Sequence, residues 1–417
     1  MAGPGSGFPT RRRQNASVAL IGGAFAFLLC GYEWVRGPSN ALYLRAYGPQ
    51  NLGFALAVVA PALAAILYGY NALLTRLGPR RTLAWTSLLS IAGLALLRFL
   101  IAWGVPGASA ALYFLRQVYI VVLLEQYWSF VDSRLSAGEA ARANGLIAGL
   151  GSLGGVLGGW LLGRWSGAWP TRDWLIAAAL VSLPAVLLAD LAQRVGGEAC
   201  AEEAAGAAGG LSIGASSLSR EPILWRLLLL VAVTQAFSVI VNLRFQTQIY
   251  RDIPSLDGQT AFYGRFYAGI NLLTLAMQFA LTPLALSALS PGVAQAAIPA
   301  LHLGLGFWAL SHPSLASCAA AYLAFKSTDY SLFRASKEMF YRGLSFDARY
   351  RAKELIDVLV YRFGKGGTAF LIAVLQRAGI MTAALFSWSA LAGVLAWTGL
   401  ALPLALPRRA PAPQASN

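Results

Sequence analysis

The sequence predicts an all-α polytopic membrane protein with about twelve transmembrane helices in two pseudo-symmetric six-helix bundles, and three observations carry that prediction. Of the 417 residues, 57% are hydrophobic and only 12% charged, a mix that a soluble globule of this size cannot arrange with its polar residues outward. Apolar runs recur along the whole chain, centred near Phe27, Ala62, Ala92, Val121, Leu153, Leu180, Val231, Leu275, Leu303, Tyr322, Val360 and Leu391. A stretch of Gly, Ala, Ser and Glu at 194–221, with Glu198, Glu202 and Glu203 supplying most of its acid, interrupts them near the midpoint.

Each run is read as a span because roughly 20 apolar residues are needed to cross about 30 Å of hydrocarbon. Little of the chain is then left for a soluble domain. The ninth and tenth runs are separated by Ser311, His312 and Pro313, which read as a tight turn at a membrane surface. The interruption at 194–221 reads as a flexible cytoplasmic linker, so the expected organisation is a bundle over 1–193 and a second over 222–417. The two halves share a local pattern: Arg142-Ala-Asn-Gly-Leu-Ile147 aligns with Arg351-Ala-Lys-Glu-Leu-Ile356, and Gly155 and Gly158 match Gly364 and Gly367 in offset. Six plus six spans with an internal repeat is the organisation of a major-facilitator-type carrier, in which two bundles rock about a site near the bilayer midplane.

Basic residues set the expected orientation, since short loops rich in Lys and Arg stay cytoplasmic. Arg11 to Arg13, Arg76, Arg80, Arg81, Arg134, Arg142, Arg194, Arg220, the stretch from Arg342 to Lys353, and Arg408 and Arg409 fall on one side of twelve alternating spans. Both termini are therefore expected in the cytoplasm, with a bacterial inner membrane as the expected location. The net charge of +15 is spread over these loops instead of being gathered on one polar helix, so the bilayer is the expected partner and nucleic acid is not. Arg11 to Arg13 ahead of an apolar run reads as the flank of an uncleaved first span, because no small-residue cleavage site follows. Cys30 lacks the small residue that a lipoprotein box has just before its Cys. Three cysteines give no disulfide framework, two histidines give no metal cluster, and no cofactor is expected.

Two glycine motifs fail their structural context. Gly149-Leu-Gly151-Ser-Leu-Gly154 fits G-x-G-x-x-G, but it lies inside an apolar helix with no preceding strand. The four-residue spacing of Gly151, Gly155, Gly159 and Gly163 instead clears a helix face for close packing. In Gly364-Lys-Gly-Gly-Thr368 the lysine precedes the glycine pair, so the order of a phosphate-binding loop is absent. Energy is therefore expected from gradients or exchange. No Ser-His-Asp, His-rich or paired-carboxylate arrangement points to an enzyme.

The candidate site residues are ionisable groups inside apolar runs, each of which costs a few kcal/mol on insertion scales unless it faces a cavity or a partner. Lys326 and Asp329 lie one turn apart in the tenth span and are read either as a mutually neutralising pair or as substrate contacts. Arg116 and Glu125 in the fourth span are nine residues apart, on nearly opposite faces, so Arg116 needs a partner elsewhere. Arg362, with Lys365 one turn on, reads as an unneutralised pair of positives suited to an anion. Arg98, Glu33 and Arg36 sit near the ends of their apolar runs and are expected to snorkel. Asp132, Arg134, Glu139 and Arg142, answered by Asp347, Arg349, Arg351 and Lys353, are read either as a cytoplasmic gate or as solvated loop charges. Tyr127, Trp128, Tyr330 and Phe333 are candidates for stacking on a base.

Residues Asp329-Tyr-Ser-Leu-Phe-Arg-Ala-Ser-Lys-Glu-Met-Phe-Tyr341, followed by Arg351-Ala-Lys-Glu-Leu-Ile-Asp357 and Tyr361-Arg-Phe-Gly-Lys-Gly-Gly367, resemble the ATP/ADP translocase family of intracellular bacteria and plastids. That family shows a Tyr-Ser-Leu segment, a Lys-Glu-Met-x-Tyr core, and a downstream Lys-x-x-Ile-Asp followed by Arg-x-Gly-Lys. By position, the resemblance implies roles for Lys337, Glu338, Asp357, Arg362 and Lys365. It also implies a twelve-span nucleotide exchanger whose partner is a small anionic solute. Arg342-Gly343 stands where the family has an apolar-proline turn, and the first span lacks the usual Arg-Asp pair, which marks a distant branch. The competing expectations are a carrier of another organic anion on the same scaffold, and an accessory or receptor subunit that moves nothing.

Overall fold

The structure is a computed structural model that describes residues 11–135, 137–197, 221–342, 344–345, 353 and 355–406. It is all-helical over these residues. Ten helices are long and apolar enough to cross a membrane. One of them, the 54-residue stretch Pro49–Ala102, breaks at Gly78, where φ is +77°, and so supplies two crossings. Residues Leu315–Tyr341 are helical throughout as well, which brings the described rods to twelve. Every apolar centre read from the sequence falls within one of them.

The helices are α1 (Arg11–Tyr47), α2 (Leu52–Ala102), α3 (Ala108–Arg134), α4 (Ala137–Trp165), α5 (Trp174–Gly196), α6 (Pro222–Asp252) and α7 (Leu256–Ala276). A π-helical turn, Met277–Leu281, joins α7 to α8 (Thr282–Ala288). Then come α9 (Pro291–Ser311), α10 (Leu315–Thr328), a second π turn at Asp329–Phe333, α11 (Arg334–Tyr341), a third at Leu355–Val360, α12 (Tyr361–Arg377) and α13 (Ala383–Ala405). Local chemistry fixes several starts. The hydroxyls of Ser290 and Thr382 accept from the backbone N–H groups of Val293 and Leu385, at 3.3 and 3.2 Å, and Ser314 with Ser317 forms a reciprocal capping box.

Large apolar side chains cover the outside, with Phe307 72%, Leu187 69% and Leu89 63% exposed, as expected of a surface whose solvent is lipid. Lipid offers no hydrophobic drive for helix association, so the rods depend on close packing and internal hydrogen bonds. The chain divides into two compact units, one holding residues up to 209 with 246–275 and 369–378, the other holding 210–245, 276–368 and the remainder.

In the first unit α1 packs against α3, α4 and α5, and α2 against α3 and α5. Ile21, Phe25, Leu28, Leu112, Tyr127, Ile147 and Leu175 form its apolar core. The glycine face of α4 works on two sides. A Cβ at Gly154 would fall 2.1 Å from the Ala26 carbonyl oxygen, and one at Gly158 2.5 Å from that of Cys30, so α1 lies directly on the α4 backbone. Gly159 and Gly163 make equally close approaches to α7, at Gly264, Arg265 and Ala268. Gly364 and Gly367, which match Gly155 and Gly158 in sequence, have no such contact, so the glycines of the two halves do not share a packing role.

In the second unit α9 packs against α10 and α13. Its centre is Trp397, buried to 1% and surrounded by the rings of Phe237, His302, Phe325 and Phe333 at 5.5–6.2 Å. Most of the linker, 198–220, lies outside the described residues.

Candidate functional site

Each unit holds one buried cluster of charged groups. In the first unit it begins on α1, where Glu33, Arg36 and Asn40 follow the i, i+3, i+7 spacing of one helix face. The snorkelling expected of Glu33 and Arg36 is overturned. Helix α1 runs on to Tyr47, so both lie well inside it; Glu33 is 2% exposed and the Arg36 side chain 13%. Arg36 Nη1 donates to Glu33 Oε1 at 3.3 Å, and Asn271 Nδ2 of α7 donates to the same oxygen at 3.0 Å. Glu33 Oε2 is buried with no partner. The Arg36 guanidinium lies 3.6 Å from the centroid of the Tyr267 ring, also on α7.

Arg116 of α3 completes this cluster and is 5% exposed. Its Nη1 donates to Asn40 Oδ1 at 2.6 Å and, at 3.4 Å, to the Arg36 carbonyl; its guanidinium covers Tyr113 at 4.5 Å. Asn40 Nδ2 in turn donates to the Tyr267 hydroxyl at 2.8 Å. The partner that Arg116 needs is thus an amide on α1 and not an acid, and its Nε is buried without any partner. Glu125 is exposed on α3 and does not join Arg116. Among the described residues this cluster thus brings the guanidiniums of Arg36 and Arg116 together with the carboxylate of Glu33.

The second cluster centres on Lys326 of α10, 3% exposed. Of the two readings of Lys326 and Asp329, the salt bridge is not formed, although Asp329 lies within electrostatic reach of the lysine. The lysine Nζ instead faces the rings of Tyr330, Phe325 and Tyr322, at 5.0, 5.7 and 5.9 Å. Both Lys326 and Asp329 lie on ordinary right-handed helical backbone, with the Asp329 N–H bonded to the carbonyls of Phe325 and Lys326, so the pair is left open by the direction of the lysine side chain and not by the backbone. Asp329 is itself buried, 7% exposed, and lies within electrostatic reach of Tyr361. A cation over desolvated rings gains about 2 kcal/mol, well short of the hydration it gives up.

Other expected site residues are placed elsewhere. Lys337 is bonded to Asp357, and Lys353 Nζ donates to Glu338 Oε2 at 2.7 Å, so these four family-motif charges neutralise one another in pairs. Arg362 and Lys365 are half-buried on α12, and Lys365 has an interaction of its own. Arg98 donates to Asp173 at 2.7 Å instead of snorkelling free. Of the gate residues, Asp132 is exposed and engaged; the side chains of Arg134 and Arg142, and residues Asp347, Arg349 and Arg351, lie outside the described residues. Tyr127 and Trp128 pack on Phe25, and Phe333 on Trp397, so these three stacking candidates are core residues and only Tyr330 stands beside a charge. Among the described residues no group of three His, Cys, Asp or Glu is arranged to hold a metal, and Cys30 and Cys318 are free thiols.

The fold is the major-facilitator fold, shared with several solved structures of low sequence identity. The chain superposes on the nucleoside transporter NupG with a TM-score of 0.65 and 15% identity, over 94% of this chain and 99% of that one. An auto-inhibited POT-family peptide transporter gives 0.63 at 14% identity (96% and 99% covered), and the Escherichia coli fucose:proton symporter FucP 0.53 at 15% (93% and 97%). Residues 315–399 match the family described as TLC ATP/ADP transporter, which bears out the resemblance read from residues 329–367. The matched stretch contains Lys326, Asp329, Lys337, Glu338, Arg362 and Lys365. No curated protein matches the chain in sequence.

Proposed function

We propose that the protein is a secondary active transporter that exchanges nucleotides of the ATP/ADP type across a membrane, by alternating access of a 1–193 half and a 222–417 half. The observation that carries this reading is Lys326: a buried cation that forms no salt bridge among the described residues, with Asp329 within electrostatic reach and tyrosines around it, inside the segment that matches the nucleotide-transporter family. Phosphate oxygens offer such a cation charge-assisted hydrogen bonds, and the half-buried Tyr330 beside it offers a ring face to a base. Arg362, on α12, is a further cation within the matched stretch. The loop arginines favour an inner-membrane protein with both termini in the cytoplasm.

A second reading, transport of another organic anion, is favoured by the two buried guanidiniums of Arg36 and Arg116 in the first unit, which would select for charge and not for a base. Purified protein in liposomes loaded with ADP decides between them. Uptake of labelled ATP that rises severalfold with internal ADP is the expected result. Uptake of other organic anions with no response to internal ADP overturns nucleotide exchange, and absence of all uptake overturns transport.

A further inference from the structure

The second unit contains a cavity that nucleotide binding at Lys326 does not use. It lies among α6, α9, α10 and α13, all within that unit, at the end where α9 gives way to α10. The helices set its length. Arg244 and Phe237 on α6, Ala309 and His302 on α9, and Ser387 and Val394 on α13 line it and are each seven positions apart, about 10 Å at the rise of an α-helix. The hollow exists because Gly306, Ala321 and Ala390 along its wall are small; a Cβ built on Gly306 meets nothing within 4 Å.

The polar side chains stand at its two ends. At one end Arg244 Nη1 donates to Ser387 Oγ and Nη2 to the Ala309 carbonyl at 3.2 Å, both of them neutral acceptors. Arg244 forms no salt bridge among the described residues, and Asp252, further along α6, accepts from Gln248 at 3.0 Å. The guanidinium fork therefore has N–H groups to spare. At the other end His302 is 1% exposed; its Nε2 lies 3.4 Å from Thr328 Oγ1, and its Nδ1 is buried without a partner. An unpaired buried polar atom carries a cost that a ligand atom in the cavity removes.

We propose that this cavity is a binding site for a monocarboxylate with an apolar tail, its carboxylate held by Arg244 and Ser387 and its tail running toward His302. One guanidinium without an acid calls for one negative charge. A planar carboxylate matches the fork, whereas a phosphate monoester brings close to two charges and a third oxygen. The tail supplies Ile240, Val241 and Ala390 with the contacts that an empty space denies them. An extended chain advances about 1.2 Å per bond, so about eight carbons reach from the guanidinium to the floor. Lys326 is not among the lining residues, and the site stands apart from the nucleotide reading.

The test is equilibrium dialysis of labelled octanoate against the full chain purified in detergent, with protein-free micelles as background. Saturable binding is expected, with a Kd raised roughly 10- to 100-fold in Arg244→Met. Gly306→Leu fills the cavity from a position with open space around it and leaves Arg244 in place, so it is expected to weaken binding by about tenfold or more while eluting as a folded protein on gel filtration. No saturable binding, or binding that survives both substitutions, overturns the proposal. Acetate bound as tightly as octanoate overturns the apolar tail. Palmitate separates the two sources of such a ligand: octanoate bound more tightly marks a free solute, and palmitate bound more tightly marks a membrane fatty acid, each of them on the same carboxylate site. The hydroxyl of 8-hydroxyoctanoate pairs with Nδ1 in either tautomer of His302, so this compound is expected to bind severalfold more tightly than octanoate in the natural protein and no more tightly in His302→Phe; equal affinities in the natural protein overturn the direction of the tail. Binding is read without transport and with ATP as a competitor. Octanoate that stays bound in excess ATP supports a separate site whether or not nucleotides are exchanged, and its displacement by ATP overturns that separation.

Discussion

Asn40 joins Arg116 to Tyr267: its amide oxygen accepts from the guanidinium at 2.6 Å while its amide nitrogen donates to the phenol at 2.8 Å. A single uncharged side chain on α1 thereby fixes a buried cation from α3 and a ring from α7. Both hydrogen-bonding functions of the amide are used, which is why neither a carboxylate nor an apolar residue is equivalent there.

Asn40→Leu is expected to remove the shortest hydrogen bond of the Arg116 guanidinium, leaving it the Tyr113 side chain and a long contact to the Arg36 carbonyl. A lost hydrogen bond to a charged group costs about 1.5–3 kcal/mol. Thermal unfolding in detergent should show the lower stability, and Arg116→Leu in the same background should recover part of it because the stranded charge is gone. Full additivity of the two losses would contradict the bond.

Lys326→Met keeps most of the side-chain volume and removes the charge. Loss of one charge-assisted contact worth about 1.5–3 kcal/mol predicts a rise of roughly 10- to 100-fold in the apparent Kd for ATP. Equilibrium binding of labelled ATP to the detergent-purified variant reads this out. The elution profile on gel filtration is expected to stay that of the natural protein, since no ion pair is broken.

Gly154→Val should unfold or loosen the first unit, because even a Cβ at this position lies 2.1 Å from the Ala26 carbonyl oxygen and both partners are backbone. Overpacking of this kind costs about 1–3 kcal/mol. Gly367→Ala, where a Cβ meets nothing within 4 Å, is expected to be neutral or to stabilise by up to about 1 kcal/mol through helix propensity. Melting temperatures of the two variants, compared in one detergent, check the contrast.

The two ion pairs of the family motif differ in exposure, with side chains of Lys337 and Asp357 at 9% and 27% and of Lys353 and Glu338 at 35% and 39%. Double-mutant cycles to alanine should give a coupling of about 0.5–3 kcal/mol for the first and less than about 1 kcal/mol for the second. An equal or reversed order would show that burial does not set the strength of these pairs.

The rods were legible because lipid imposes a length and a polarity on each of them, and both are written along the chain; the run centred at Leu153 is a helix for the same reason that its glycines pack. Lys326 and Arg116 stood out as charges within apolar runs. Glu33 and Arg36 were misplaced because hydropathy falls after Cys30 while the helix continues through buried Ser39 and Asn40 to Tyr47. Their i, i+3, i+7 spacing with Asn40 was the available signal. That Tyr267 and Asn271 would face them depends on how α7 packs in the folded unit, which no local pattern encodes. That Lys326 would turn to the rings and not to Asp329 was equally hidden, since spacing gives the separation of two side chains and not the direction each takes.

The wide turn at Asp329–Phe333 sets two lysines apart. Lys326 and Lys337 are eleven positions apart, about three turns of a regular helix, so on a helical wheel they fall on one stripe. A turn that accommodates one more residue rotates everything after it backwards by roughly 100°, and the stripe is split. One lysine then looks into aromatic rings and the other toward Asp357. Removing a single residue from this turn would swing the second lysine round by the same angle and detach it from its acid, although no charged side chain had been altered.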